Sequence, residues 1–277
     1  MKHIGTRLQT NWDWRAAGNF VLGGAGAGLL AIAAVAAFPA PPSLPLLLLA
    51  LAMIATGLGL VWIELGRPWR AVNVFFHGET SWMTREAMVA TLMFLLALAG
   101  LLSQVAGLLQ AAAIAGLAFV YCQARMLQAA KGIVTWREPA VIPFMLLTAL
   151  TEGGGLLLLA ADLLALHIAW LPYLVVLLLA LRALSWMHYR SCISASAGPL
   201  PARTALARIS PLVLIGGHVL PVMLLIAALA VPSAPALNVT SALLAVACGW
   251  FVKAWIVVSA AYQQGYAFGR LRRGLPA

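Results

Sequence analysis

The chain falls into eight apolar runs, each close to the roughly 20 residues that an α-helix needs to cross the hydrocarbon of a bilayer. They lie at about 16–38, 44–65, 85–106, 108–130, 140–163, 167–187, 209–231 and 238–262. Within a bilayer each backbone N–H and C=O must be satisfied by the segment itself or by a closed barrel. Runs of this length therefore predict an all-α, polytopic membrane protein: one integral membrane domain over 1–277, arranged as two four-helix bundles. With 9% of its residues charged, the chain lacks the polar surface of a water-soluble domain, where about 25% is usual. The run at 16–38 is too long for the short apolar core of a cleaved signal peptide, and it reads as the first span.

Charge placement supports the helix count. Lys2, Arg7, Arg15, Arg67, Arg70, Arg85, Arg125, Lys131 and Arg137 fall at one face of an eight-span layout. So do Arg182, Arg190, Arg203, Arg208, Arg270, Arg272 and Arg273, at or near that face, and the remaining one of the 17 basic residues, Lys253, lies deep inside a span. The positive-inside rule makes this face cytoplasmic, with both termini on it. The net charge of +10 is thus read as an orienting signal rather than a nucleic-acid surface.

The other polar groups gather at the same face. Asp13, Glu64, Glu79, Glu86 and Glu138 are there, with Trp12, Trp14, Trp69, Trp82, Trp136 and Trp186 as an expected interfacial belt. Asn19 lies a turn inside the first span and needs a hydrogen-bond partner, on another helix or on a ligand. Glu64 and Glu86 sit at helix ends, where a buried carboxylate demands a partner such as Arg67 or Arg85. Glu152 and Lys253 lie deep in the fifth and eighth spans and are expected to pair or to line a wet cavity. Gly24 and Gly28 read as a small-residue face for close helix packing, not as a phosphate loop, which would need a preceding strand.

Cys122, Cys192 and Cys248 have no pairing or metal-binding spacing and are expected to be free thiols. The five histidines, His3, His77, His167, His188 and His218, offer no two pairs at matched depth, as a dihaem b cytochrome requires.

Two stretches carry a family resemblance. Trp14-Arg-Ala-Ala-Gly-Asn-Phe20 with the Gly-rich helix after it resembles the opening of NrfD-type (polysulfide reductase-type) membrane subunits. Glu64-Leu-Gly-Arg-Pro68, then Asn73 and Ser81-Trp82-Met-Thr-Arg85, resembles the second-to-third-helix signature of that family. The size and span number agree over the whole chain, and the variant closest in pattern is the anchor of phenylacetyl-CoA:acceptor oxidoreductase-like enzymes. The resemblance implies a haem-free anchor of an iron–sulfur molybdoenzyme, related to dimethyl sulfoxide reductase anchors, in a bacterial cytoplasmic membrane. It implies partners as well: a four-cluster ferredoxin-like [4Fe–4S] subunit docked on the cytoplasmic face, and a molybdopterin subunit beyond it that holds the substrate chemistry. The anchor itself exchanges electrons with ubiquinone or menaquinone. Carried onto this sequence, the quinone-site candidates are Trp14, Arg15, Asn19, His77, Arg85 and Tyr121. Glu152, Glu64 and Lys253 are the proton-relay candidates. The rival expectations are a b-type cytochrome anchor and a membrane transporter.

Overall fold

The computed structural model describes residues 5–64, 68–196, 198–231 and 234–264, apart from the side chains of Pro68, Arg70 and Asp162. Among these residues eight helices are long and apolar enough to cross a membrane. They are α1 (Trp14–Ala37), α2 (Leu44–Glu64), α3 (Trp82–Ser103) and α4 (Ala106–Gln128), then α5 (Val141–Leu163), α6 (Leu171–Ala195), α7 (Leu200–Ala230) and α8 (Pro235–Ser259). A 3-10 stretch, Pro68–Phe76, leads into α3, and the single turn Val134–Arg137 precedes α5.

The spans form two groups of four with the same neighbour pattern. In the first, α1 packs on α2 and α4, and α3 on α4; in the second, α5 packs on α6 and α8, and α7 on α8. The groups meet chiefly through α1 and α5. Small residues make that contact possible, as expected where helices associate by close packing in lipid. A Cβ built on Gly28 would fall 1.8 Å from the Ala149 carbonyl oxygen, and one on Gly153 would fall 2.1 Å from the Gly28 carbonyl carbon. On the other side of α1, a Cβ on Gly26 would come within 2.6 Å of the Ala50 carbonyl oxygen of α2. The Gly-rich run is thus a packing face on both sides. Outward-facing Leu48, Leu95, Leu177, Ile215 and Met223 remain exposed, as lipid-facing residues do.

The two ends of the described chain meet at one rim. β1 (Arg7–Leu8) pairs antiparallel with β2 (Tyr262–Gln263), and the Gln264 N–H donates to the Gly132 carbonyl. The N-terminal segment, the loop before α5 and the segment after α8 therefore share a face, as an even span number requires. Lys2, Arg67, Arg270, Arg272 and Arg273 lie outside the described residues.

The largest departure from the sequence reading is at α6 and α7. Of residues 190–208, expected as a long connection, those up to Ala195 continue α6 and those from Leu200 onward already belong to α7. Both helices run past the apolar core into the rim, where arginines and serines are tolerated. Arg182, expected at the rim, consequently lies near the middle of α6 and is 1% exposed. The tryptophan belt is also only partial. Trp14 and Trp69 are exposed, but Trp136 and Trp186 are buried. Trp136 stacks on Trp12 at 4.8 Å and donates to the Ile256 carbonyl, while Trp186 donates to Ser210. They knit the rim ends of the helices together instead of facing headgroups.

Candidate functional site

Two buried polar clusters are built on this frame. The first is at the rim end of α1, where Ser81 caps α3 by accepting from the Thr84 N–H. The cap starts α3 so that Glu86 falls on its inner face one turn later, 4% exposed. Asn19 opens a widened π-helical turn of α1, Asn19–Gly23, a local irregularity that recurs at functional sites. Its amide donates to Glu86 Oε1 at 2.9 Å, and Gln123 of α4 donates to the Asn19 backbone carbonyl at 3.0 Å. Asn19 Oδ1 is buried and has no hydrogen-bond partner among the described residues.

Asn19 and Glu86 form a shared wall of two adjoining cavities. One, of about 250 Å³, runs toward the rim past Asn11, Trp12, Glu64 and Met126. The other, of about 420 Å³, runs outward between α2 and the 3-10 stretch and is lined by Leu58, Trp62, Val74, Asn73 and His77. Val61 and Met83 also border both. The walls are apolar on most sides, with polar groups converging at Asn19 and Glu86 and a second set, Asn73 and His77, at the outer lobe. This is the composition of a small-molecule pocket.

The second cluster lies mid-membrane in the other helix group. Lys253 Nζ of α8 is 2.5 Å from Glu152 Oε2 of α5 and also donates to the Val21 carbonyl of α1 at 3.2 Å. Arg182 donates to His218 Nε2 at 3.0 Å, to the Gly217 carbonyl at 2.7 Å and to the Ala245 carbonyl at 2.9 Å. Because Arg182 can only donate, His218 Nε2 must be the unprotonated nitrogen. Nδ1–H then donates to the Val213 carbonyl at 2.7 Å, within the π-helical stretch Leu212–Val219. Both ring nitrogens of His218 are engaged. Gly249 leaves the space that Glu152 occupies: a Cβ there would sit 2.4 Å from Glu152 Oε1, an atom with no hydrogen-bond partner among the described residues.

The sequence candidates therefore separate. Asn19, His77 and Glu64 converge on the paired cavities. Trp14 is 67% exposed and borders a separate open groove of about 520 Å³ beside Trp255, on the opposite side of α1. Arg15 pairs with Asp13 at 2.9 Å, and its hydrogen bond holds the Asp13 carboxyl below its ordinary pKa. Arg85 is not the partner of Glu86. Its guanidinium donates to the Gly78 and Glu79 carbonyls and lies 4.2 Å from the Trp82 ring centre. Arg67, the other expected partner, lies outside the described residues. Tyr121 accepts from Arg125 and meets Trp82 edge-on, away from both cavities. Glu152 and Lys253 do pair, as their depth required, but they line neither cavity. Glu86 and Gln123 were not singled out as site residues. Their signal was polarity at a helix's inner face, which a sequence shows only once the neighbouring helix is known. Compared with known proteins, the chain matches no family model and no curated sequence, so the functional argument rests on the chemistry of these clusters.

Proposed function

We propose that the chain is the quinone-reactive membrane subunit of an oxidoreductase, passing electrons between a docked iron–sulfur subunit and the quinone pool. The observation that carries this reading is the buried Asn19–Glu86 pair opening onto apolar cavities at the rim where polar groups gather. The resemblance of the helix-one and helix-two motifs to NrfD-type anchors points the same way and supplies the rest of the assembly: a four-cluster ferredoxin-like subunit on the cytoplasmic face and a molybdopterin subunit beyond it.

A quinone has an apolar ring and tail with two carbonyl acceptors, and its two-electron reduction takes up two protons. The walls fit those needs. Leu58, Val61, Trp62, Val74 and Met83 offer apolar surface for the ring and tail, in a lobe that opens between helices as entry from lipid requires. His77 and the Asn73 amide can donate at one end. Glu86, in its protonated form, can donate at the other, with Asn19 fixing its orientation through the 2.9 Å bond. Glu64 lines the same cavity nearer the rim, so the two carboxylates give protons a short path from the aqueous face, the general acid role that such a site asks for. In this reading Trp14, Arg15, Arg85 and Tyr121 lie outside the quinone site. The Glu152–Lys253 pair is a neighbour of the site through Val21, two residues from Asn19.

Asn19→Leu removes the amide that holds Glu86 and adds apolar bulk beside it. Quinone affinity is expected to fall about tenfold, the equivalent of one buried hydrogen bond of about 1.4 kcal/mol. Titrating decylubiquinone into the purified chain and following quenching of tryptophan fluorescence measures this, since Trp12 and Trp62 line the two lobes. Arg15→Ala is the companion variant and is expected to bind as the wild type does. An unchanged affinity in Asn19→Leu, or a loss only in Arg15→Ala, contradicts the assignment.

A further inference from the structure

Away from the cavities, a groove of about 530 Å³ lies at the rim ends of three spans. It is bounded by Trp82 at the start of α3, Arg125 and Gln128 at the end of α4, and Lys131, Arg137 and Glu138 before α5. It carries three cations and one carboxylate, a balance of 3 − 1 = +2. Among the described residues none of these three cations has an ion-pair partner; the ion pairs there are Asp13–Arg15 and Glu152–Lys253. Arg125 is held in place: its Nη1 donates to the Tyr121 hydroxyl at 2.8 Å, and its guanidinium lies 4.4 Å from the centre of the Trp82 ring. Its Nε is buried without a hydrogen-bond partner among the described residues. Arg137 donates to the Lys131 backbone carbonyl at 2.9 Å, which holds the Arg137 side chain against the short loop that carries Lys131.

A positive groove at this level suits an anion, although the free carbonyls at the end of α4 work against one. The attraction must therefore come from the cations. What lies below the groove indicates which anion. Ile114, Ala118 and Tyr121 form an exposed stripe along α4 at helical spacing, ending at Arg125 and Gln128. An apolar stripe that rises through the bilayer and ends in a cationic groove at headgroup depth matches a lipid, tail and head together. An acidic protein segment would engage the groove alone and gain nothing from the apolar stripe that leads into it.

We propose that this groove is a binding site for an anionic phospholipid, its phosphate held among Arg125, Lys131 and Arg137 and its acyl chains lying along Ile114 and Ala118. Basic pockets of this kind at the charged side of a membrane protein bind acidic headgroups. The site is separate from the quinone cavities, and its test does not depend on them.

The delipidated, detergent-purified chain is titrated with phosphatidylglycerol or phosphatidylcholine, and bound lipid is counted by native mass spectrometry. Phosphatidylglycerol is expected to bind preferentially. The double variant Lys131→Gln/Arg137→Gln, both exposed positions, is expected to weaken it about thirtyfold, the equivalent of two basic residues. The single variant Lys131→Gln should lose about half of that free energy. Arg190→Gln/Arg208→Gln removes the same charge elsewhere on the rim and should change little. Equal binding of the two lipids, or an equal loss in the Arg190/Arg208 control, overturns the proposal. So does displacement of the lipid by inorganic phosphate or by a glutamate-rich peptide at concentrations comparable to that of the lipid, which would assign the groove to a soluble anion or to a protein partner.

Discussion

Glu152→Ala is expected to cost about 3–5 kcal/mol of stability, the usual result of leaving one member of a buried ion pair alone. The Lys253 ammonium would remain in the middle of the membrane with only the Val21 carbonyl as partner. Arg182 keeps its own three partners, so the damage should centre on the contact between α5 and α8. Thermal unfolding in detergent, followed by the loss of the monodisperse peak, measures it. The paired replacement Glu152→Leu/Lys253→Met removes both charges and is expected to recover most of the loss, because an apolar pair of similar volume replaces an ion pair at little cost. A single variant that melts like the wild type contradicts the pairing. Since the pair lines neither cavity, the double variant is also expected to keep its quinone affinity.

The second large effect is expected at the contact between the two helix groups. Gly28→Val must place a Cβ where the Ala149 carbonyl oxygen now sits, 1.8 Å away, and the obstruction is backbone, which cannot rotate aside. Overpacking typically costs about 1–3 kcal/mol, and a backbone clash on a central helix belongs at or above the top of that range. The expected outcome is loss of the folded chain, or α1 and α5 driven apart. Gly59→Ala is the control: a Cβ there meets nothing within 4 Å, so stability should hold. If Gly28→Val and Gly59→Ala behave alike, the central packing described here is wrong.

The sequence showed the spans because hydropathy over about 20 residues is a local property. It also showed where helices must come close at Gly28, whereas Gly24, read the same way, makes room for the Lys253 ammonium. Helix ends were less legible. Past the hydrocarbon a helix needs no apolar residues, so α6 and α7 continue through Arg190 and Arg203 without a hydropathic signal. That one error moved Arg182 from mid-membrane to the rim and hid its bonds to His218, Gly217 and Ala245.

The site was legible by halves. Asn19 stood out because an amide a turn inside a membrane needs a partner, whereas Glu86 was read only as a carboxylate at a helix end and was not counted in the site. Their pairing with each other was not readable. It depends on α1 and α3 both packing on α4, so that their side chains meet beside it, a fact of packing that no spacing encodes. Glu86 was instead assigned a partner nearby in the chain, yet Arg85, its immediate neighbour, projects from a different face of the same helix and caps the loop before it. The motif residues Trp14 and Arg15 became candidates through the family resemblance of the helix-one mouth. Neither lines the cavities: Trp14 turns toward Trp255, and Arg15, one helical turn before Asn19, is drawn to Asp13 at the rim.

The central claim is that the cavities around Asn19 and Glu86 hold the quinone. The most direct measurement is photolabelling: an azido-quinone is illuminated with the purified chain in lipid nanodiscs, and the labelled peptides are identified by mass spectrometry. The expected labels fall on α2 around Val61 and on α3 around Met83, and an excess of unlabelled quinone suppresses them. Labels confined to α7 or α8, or labels that the competitor does not reduce, would contradict the account.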